Sequence, residues 1–233
     1  DRVEDYRIET LMDDVAALID LSGCTEVTLI AHDWGAVIAW YFAMRQVRSL
    51  DRLIICNVPH PAAMQSAMGW RQLVRSWYAI FFQIPGLAEW LLGRGDLGEL
   101  MRGGSASPAN FSSDVLRIYR ANGRRPNGLR GMINYYRALI RGGGSRRQRD
   151  LGTPIIETPT LMLWGEDDTA LTIETTYDTD QWVRDLTLRY LPRISHWVQQ
   201  DTPDEVNAMM QAFIKGEPVP KMVWESRLIV EEP

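Results

Sequence analysis

The sequence predicts an α/β protein in which a mostly parallel sheet carries an inserted block of helices. Short apolar runs typical of buried strands alternate with helical patterns near both ends of the chain. The stretch between them, 62–150, shows helical patterns and no convincing strand. In addition, the first apolar run leads through a sharp turn directly into a helix. Strand–helix alternation on both sides of a helical block is typical of a parallel sheet with an inserted cap.

The elements before the insertion follow from apolar spacing and from helix-stopping residues. Apolar residues recur at helical spacing in the first segment, and Gly23 then ends the helix. Pro59 and Pro61 are expected to stop regular structure after the second strand. In chain order we predict a helix over about 5–20, a strand over 26–30, a helix over 36–46 and a strand over 52–56.

The insertion and the second half of the core are assigned in the same way. In the insertion we predict helices over 68–82, 87–92, 112–121 and 129–141, with loops over 102–109 and 142–148. Beyond it we predict strands over 160–164 and 186–191 and a helix over 203–214. The pattern thus divides the chain into a core of residues 1–61 and 151–216, a helical cap of residues 62–150, and an unassigned tail of residues 217–233.

Composition and charge narrow the class of protein. The net charge is −5, so the chain lacks the basic surface typical of nucleic-acid binding. No apolar stretch has the length of a membrane-spanning helix, and the first residues do not form a signal peptide. Cys24 and Cys56 each lie beside an apolar run, which predicts buried free thiols and fits a reducing compartment. We expect a cytoplasmic protein without nucleic-acid partners or membrane spans.

The turn after the first strand carries an aspartate where a hydrolase usually has serine. Asp33 lies at the centre of Ala31-His32-Asp33-Trp34-Gly35, a strand–turn–helix elbow that lifts one side chain above the sheet. Small residues flank the turn because strained backbone and close packing leave little room. Serine attacking a saturated carbon would give an ether, which water cannot cleave, whereas aspartate gives an ester. Asp33 therefore predicts such an attack followed by ester hydrolysis, with the backbone N–H of Trp34 lining the oxyanion hole.

Candidate partners for Asp33 follow in the order nucleophile, acid, histidine. The acidic loop Gly165-Glu166-Asp167-Asp168 comes at the end of a predicted strand, and His196 follows the last strand. Of the three histidines, only His196 has this order and position, so it is predicted to activate water while a carboxylate orients its ring. An aspartate at a helix start is also a common N-cap, and the acidic loop could be a solvated turn. The combination favours the catalytic interpretation.

Four segments resemble the α/β-hydrolase epoxide hydrolases, and the resemblance covers most of the chain up to about Gly216. They are His32-Asp33-Trp34-Gly35, Asn57-Val58-Pro59-His60-Pro61, Phe82-Gln83-Ile84-Pro85-Gly86 and His196-Trp197-Val198-Gln199. The resemblance implies an α/β-hydrolase core with a cap, and it places the acid on Asp168. It departs from the family at Ile84, where many members have Glu.

The resemblance also implies two cap tyrosines that hold the epoxide oxygen. Tyr78 matches the one before the Phe-Gln-x-Pro-Gly segment, and Tyr136 matches the one in Asn134-Tyr135-Tyr136-Arg137. Phenols stay protonated at neutral pH and can donate to a developing alkoxide. Tyr135 and Tyr136 lie about 100° apart on a helix, so at most one of them points into the site.

An α/β-hydrolase sheet has further strands before the elbow, one of them followed by a loop that completes the oxyanion hole. Here the elbow comes at residue 33, and no His-Gly-x-Pro segment occurs. We therefore expect this chain to be a fragment that lacks N-terminal strands and the oxyanion loop, on the order of 60–90 residues. We also expect the fragment alone to be inactive or weakly active.

The function that the sequence predicts is hydrolysis of an epoxide to a vicinal diol through an ester on Asp33. A small hydrophobic epoxide and water are the expected partners, without a cofactor or metal. A haloalkane or fluoroacetate dehalogenase would use the same aspartate, histidine and acid, but would replace the tyrosine pair with Trp or Asn donors for the halide. A hydrolase-like protein that binds without catalysis is the alternative from another class. The identity of the epoxide and the oligomeric state do not follow from the sequence.

Overall fold

A computed structural model describes residues 2–223 and 227–229, and its central feature is a four-stranded sheet. The strands lie in the order β1-β2-β3-β4, and every neighbouring pair is parallel. The parallel α/β core that the sequence predicts is therefore confirmed. The strands are β1 Thr28–His32, β2 Arg52–Cys56, β3 Thr160–Gly165 and β4 Leu186–Leu191.

The first part of the chain differs from the prediction mainly in where elements begin and end. A 3-10 helix, Val3–Tyr6, precedes α1, Ile8–Ser22, which ends at Gly23 in the left-handed conformation with φ 65°. Strand β1 is displaced two residues from its predicted position. Helix α2, Trp34–Met44, follows at once, so Asp33 is the only residue between strand and helix.

The segment between β2 and β3 is helical, as predicted, but three local predictions are wrong. Pro61 begins a helix instead of ending structure, because proline at the first helical position loses no hydrogen bond. The predicted helix 68–82 is interrupted at Ser76. The predicted loop 142–148 is mostly helical. In chain order the helices are α3 Pro61–Ser66, α4 Trp70–Arg75, α5 Trp77–Phe81, α6 Leu87–Arg94, α7 Leu97–Gly103, α8 Ser113–Arg124, α9 Gly128–Ile140 and α10 Gly144–Asp150.

The chain beyond β3 completes the core. Two helices follow β4, and a short antiparallel pair of strands lies in the predicted tail. Residues 224–226 and 230–233 of that tail lie outside the described residues. The elements are α11 Val198–Asp201, α12 Pro203–Lys215, β5 Lys221–Val223 and β6 Arg227–Ile229, together with 3-10 helices Pro108–Asn110, Ile173–Thr176 and Thr179–Gln181.

The central strands are buried on both faces. Ile55 and Met162 pack with Trp40 of α2 on one face, whereas Ile54 and Leu161 belong to a cluster with α12 on the other. Strands covered on both faces are expected in a parallel sheet.

The two cysteines are both free, but the prediction that both are buried is wrong: Cys56 is buried and Cys24 is exposed.

Contacts from the predicted cap hold the loop that follows β3. The Nη1 atom of Arg75 in α4 donates to the carbonyl oxygen of Asp168 at 2.7 Å. The side chain of Gln72 accepts from the N–H of Thr172 at 2.9 Å and donates to the carbonyl oxygen of Ala170 at 3.0 Å. These bonds fix the position of α4 relative to the carboxyl end of the sheet.

Among the described residues, no helix is both long and apolar enough to cross a membrane.

We predict that Gly165→Ala destabilises the fold. A Cβ atom there would lie 2.2 Å from the carbonyl oxygen of Ser195 and 2.5 Å from that of Ile194, and backbone atoms cannot move aside cheaply. We expect the free energy of unfolding to fall by about 2–3 kcal/mol. The melting temperature should then fall by about 5–10 °C, measured by circular dichroism.

Gly103→Ala is the matched control. An added Cβ at Gly103 meets no atom within 4 Å, and Gly103 lies at the end of helix α7. Alanine should be neutral or slightly stabilising there. Equal melting temperatures for Gly165→Ala and the parent chain would contradict the prediction.

Candidate active site

The candidate nucleophile Asp33 occupies the strained turn between β1 and α2. Its φ and ψ are 50° and −129°, a conformation that a residue other than glycine rarely adopts. The side chain makes no capping hydrogen bond to α2, although Asp33 is the residue before the helix. The N-cap interpretation therefore has no hydrogen bond to support it. The expected crowding at Gly35 is not found, because an added Cβ would meet no described atom within 4 Å.

His196 lies between two carboxylates. Its Nδ1 atom is 2.7 Å from Oδ2 of Asp168, and its Nε2 atom is 3.5 Å from Oδ1 of Asp33. The imidazole is mostly buried, Asp168 is fully buried, and the Asp33 side chain keeps 47% of its surface exposed. The structure thus brings together all three residues that the sequence selected for nucleophile, base and acid.

Asp168 is the carboxylate of the acidic loop that points inward. Its Oδ1 atom accepts from the N–H groups of Ala170 at 2.8 Å and Leu171 at 2.9 Å. Its Oδ2 atom accepts from Nδ2 of Asn57 at 2.8 Å in addition to its contact with His196. The neighbours Glu166 and Asp167 are exposed. Burial and hydrogen bonding thus distinguish Asp168 from the two other acids in the loop.

Asn57 was part of a family-like segment, but the sequence assigned it no role. It is buried at the end of β2 with φ 47°, and its Oδ1 atom accepts from the N–H of Gly165 at 2.9 Å. One side chain thus joins the ends of β2 and β3 and also donates to the acid. The positive φ cannot be read from sequence with certainty, although asparagine tolerates it better than most residues.

Electrostatics favour an ion pair in the resting site. Burial opposes the charged imidazole, but hydrogen bonds and charges from Asp168 and Asp33 outweigh it and raise the pKa of His196 to about 10. Burial also opposes the charged carboxylates, yet the interactions with His196 lower the pKa of both Asp33 and Asp168. The pair is therefore Asp33 anion and His196 cation at neutral pH.

His32 supports the loop that carries His196. Its Nε2 atom lies 2.9 Å from the carbonyl oxygen of His196. A carbonyl oxygen only accepts hydrogen bonds, so Nε2 must carry the proton. Burial and the nearby positive charge of His196 lower the pKa of His32, which keeps its ring neutral. His32 therefore helps to position His196, the candidate base.

Tyr78 and Tyr136 face Asp33 across one cavity. Their ring centroids are 5.8 Å apart, and the rings meet edge to face. Burial and the charge of Asp33 raise the pKa of Tyr78 to about 12 and that of Tyr136 still further, although the Trp34 side chain opposes the second shift through a hydrogen bond. Both hydroxyls are therefore protonated at neutral pH. Two hydrogen-bond donors and the carboxylate line the same space.

Tyr135 points away from that pair. Its ring packs 5.1 Å from Tyr6 and 5.4 Å from Trp34, measured between centroids, beside helix α1. This agrees with the expectation that only one of the two adjacent tyrosines enters the site.

Arg137 and Gln83 hold the two tyrosine-bearing helices together. The Nε atom of Arg137 donates to the carbonyl oxygen of Phe82 at 2.9 Å, and its Nη1 atom pairs with Glu89 at 2.5 Å. The Nε2 atom of Gln83 donates to the carbonyl oxygens of Ala79 at 2.9 Å and Tyr136 at 3.3 Å. The motifs identified in sequence therefore meet in space. Their sequence separation gives no sign of this contact, so sequence analysis missed the role of Arg137.

The cavity beside Asp33 has a volume of about 420 Å³ and is lined mainly by apolar side chains. It is large enough for a small organic molecule. Among the described residues, no group of three or more His, Cys, Asp or Glu side chains is arranged to hold a metal ion.

Comparison with known proteins agrees with this fold. Residues 1–209 match the model of the alpha/beta hydrolase family. The chain is 34% identical over 220 residues to epoxide hydrolase 2 of Caenorhabditis elegans, covering 91% of this chain and 61% of that protein. It is 31% identical over 220 residues to the AB hydrolase superfamily protein YfhM of Bacillus subtilis, covering 92% and 75%. The chain spans 54–61% of the length of two such curated relatives from Caenorhabditis elegans.

A solved structure shows the same architecture. The epoxide hydrolase of Bacillus megaterium, crystallised with an inhibitor, superposes with a TM-score of 0.78 at 26% identity, covering 92% of this chain and 78% of that one. The resemblance to epoxide hydrolases that four short segments indicated is thereby confirmed, and the chain belongs to the alpha/beta hydrolase family.

Proposed function

We propose that the protein carrying this chain hydrolyses an epoxide to a vicinal diol through a covalent ester on Asp33. One observation carries the proposal: the Asp33 carboxylate and the side chains of Tyr78 and Tyr136 line one cavity, with His196 behind the carboxylate. An epoxide needs a nucleophile at carbon and a proton donor at oxygen, and this cavity offers both. The names of the relatives as epoxide hydrolases support the same reaction.

In the first step an oxygen of Asp33 attacks an epoxide carbon and the ring C–O bond breaks. The electron pair of that bond stays on oxygen, which takes a proton from Tyr78 or Tyr136. The resulting tyrosinate is reprotonated at the expense of the His196 cation, directly or through solvent. The products are the Asp33 ester, a free hydroxyl group and neutral His196.

The second step uses the change in charge at Asp33. Esterification removes the negative charge that helped to raise the pKa of His196, so the imidazole becomes a weaker base that is neutral and can accept a proton. It takes a proton from water, whose oxygen adds to the ester carbonyl while the Trp34 N–H stabilises the oxyanion. Collapse breaks the bond between the carbonyl carbon and the alkyl oxygen, and the proton left on the added water oxygen passes to the alkyl oxygen, which leaves as the second hydroxyl of the diol. Asp33 and the His196 cation are restored.

The dehalogenase alternative shares the aspartate and the base. Trp34 lines the cavity, and an indole N–H is a suitable donor to a halide. However, the hydroxyls of Tyr78 and Tyr136 line the same cavity, and two phenol donors favour a developing alkoxide. A binding protein without catalysis would have no use for the ion pair of Asp33 and His196.

We also propose a cytoplasmic location, which the two free cysteines support.

We predict that His196→Gln traps the Asp33 ester. The variant lacks the base for ester hydrolysis but keeps the nucleophile and both tyrosines. Intact-mass spectrometry of the full-length protein, incubated with styrene oxide, should show one adduct whose peptide maps to Asp33. Asp33→Asn with His196→Gln is the control and should give no adduct. Normal turnover by His196→Gln would reject the assignment of the base.

We predict that Asp168→Asn slows ester hydrolysis by about a hundred- to ten-thousandfold. The asparagine amide accepts a weaker hydrogen bond from Nδ1 of His196 than a carboxylate does. It also carries no negative charge to stabilise the imidazolium. Asp167→Asn, at the exposed neighbouring position, should change the rate less than twofold. Single-turnover measurements of ester decay give the comparison, and the reverse order of effects would move the acid to Asp167.

We predict that Tyr78→Phe and Tyr136→Phe each slow ester formation by about ten- to a hundredfold. Phenylalanine keeps the packing and removes one hydrogen bond to a developing charge, worth about 1.5–3 kcal/mol. Ester hydrolysis should change little in either variant. Stopped-flow fluorescence separates the two steps.

The double Phe variant and a panel of halides decide between the leading functions. The double variant should lose nearly all epoxide opening. Chloro- and bromoalkanes should give no halide ion with the parent protein. Halide release without diol formation, or full epoxide activity in the double variant, would favour the dehalogenase.

A further inference from the structure

The cavity extends well beyond the candidate nucleophile. Val37, Tyr41 and Met44 line it from one face of α2, in addition to Asp33 at the start of that helix. An α-helix rises about 1.5 Å per residue, so the lining from Asp33 to Tyr41 spans about 12 Å and that to Met44 about 16 Å. The cavity is therefore elongated along α2, with the reacting groups at one end only.

The other end is built from residues that join α10 to the core. Gln148, Arg149 and Thr153 line it. The Nη2 atom of Arg45, directly after α2, donates to the carbonyl oxygens of Gln148 and Gly152, both at 2.9 Å. These bonds hold the segment 148–152 against the carboxyl end of α2. The far end of the cavity is thus a fixed part of the structure.

Three side chains at that end can still donate hydrogen bonds. Arg149, Tyr41 and Thr153 have no side-chain hydrogen bond or ion pair with any described residue. Burial raises the pKa of Tyr41, although the charges of Arg45 and Arg149 act against that shift. Arg149 and Tyr41 both line this cavity, so their side chains face the same space. Gln148 differs, because its side chain already bonds to Arg45 and Glu9.

Local charge favours an anion at the same end. Residues 141–149 contain four arginines and no acidic residue, in a chain whose net charge is −5, and Asp150 follows directly. Arg147 is paired with Glu9 at 3.2 Å, but Arg146 and Arg149 have no such partner among the described residues. Of these arginines only Arg149 lines the cavity, and a positive charge there attracts ligands of the opposite sign.

We propose that Arg149, Tyr41 and Thr153 form a subsite for an anionic group of the substrate, a carboxylate or a phosphate. The inference rests on the proposed function in one respect: it makes the substrate an elongated epoxide with an anion at its other end. An extended chain advances about 1.2 Å per bond, as three backbone bonds span about 3.5 Å. About ten to thirteen bonds therefore separate the epoxide from the anion. The apolar lining between the two ends accommodates the connecting chain.

Binding of unreactive probes tests the subsite without any catalysis. Dodecanoate, dodecyl phosphate and methyl dodecanoate are titrated into the full-length protein by calorimetry, below the concentrations at which they form micelles. At least one anion should bind about tenfold more tightly than the neutral ester. Tighter binding of dodecanoate identifies a carboxylate, and tighter binding of dodecyl phosphate identifies a phosphate. Equal affinity for all three probes would overturn the proposal.

Arginine variants show whether the preference comes from the cavity. Arg149→Gln should bring the affinity for the anion down to that for the ester. Arg146→Gln removes the same charge from the same helix at a position outside the cavity, and it should change the ratio less than twofold. If both variants changed the ratio of anion to ester affinity equally, the preference would come from the overall positive charge of the helix. That result would overturn a direct contact between Arg149 and the anion.

Kinetics separate this inference from the proposed function. A twelve-carbon carboxylic acid with a terminal epoxide is compared with its methyl ester. Arg149→Gln should raise KM for the acid about tenfold and leave kcat unchanged, because the anion lies far from the reacting carbon. The kcat and KM for the methyl ester should be the same in Arg149→Gln and in the parent protein. Failure of both compounds to give a diol, with the binding preference intact, would reject the epoxide reaction and leave the subsite in place.

Discussion

The buried carboxylate of Asp168 is the interaction on which the candidate site depends. It accepts two backbone N–H groups from its own loop, the amide of Asn57 at the end of β2, and the ring of His196 after β4. A fully buried charge is tolerated only when its hydrogen-bonding capacity is satisfied, and here four donors satisfy it. Three separate strand ends are thereby fixed to one another, and the base is aimed at Asp33.

The helical segment of the predicted cap is tied to the same point. Arg75 in α4 donates to the backbone carbonyl of Asp168, while Gln72 bonds to the loop that follows. Arg137 and Gln83 then join the helices that carry Tyr136 and Tyr78. The two tyrosines are thus held relative to Asp33, the candidate nucleophile, by a continuous set of hydrogen bonds and peptide bonds. Groups that act together on one substrate must be held accurately relative to each other, and these bonds do so.

Charge provides a second link between the parts of the site. In the proposed mechanism, the resting ion pair stores a proton on His196 that is available once ring opening leaves a tyrosinate. In that mechanism, loss of charge at Asp33 would then lower the pKa of the imidazole, so that the neutral ring could accept a proton from water. The proposal thus gives both steps to the same two groups, because esterification would itself change the electrostatics between them. The far end of the cavity is lined by Arg149, Tyr41 and Thr153, whose side chains form no hydrogen bond or ion pair with the described residues, and we propose that it binds an anion.

The sequence by itself determined the fold class, and it predicted an aspartate nucleophile at the elbow followed along the chain by an acid and a histidine. Apolar periodicity predicted the parallel core, and the spacing of Asp33, the acidic loop and His196 predicted which groups meet, because parallel strands end at one edge. It could not choose Asp168 over Asp167 from the residues alone, since the choice depends on which side chain turns inward to Asn57. Nor could it show the bonds of Arg137 to Phe82 and Glu89, the break at Ser76, or the helix over 144–150, where Glu9 pairs with Arg147. Those features arise from contacts between residues far apart in the chain, and only the tertiary structure decides them.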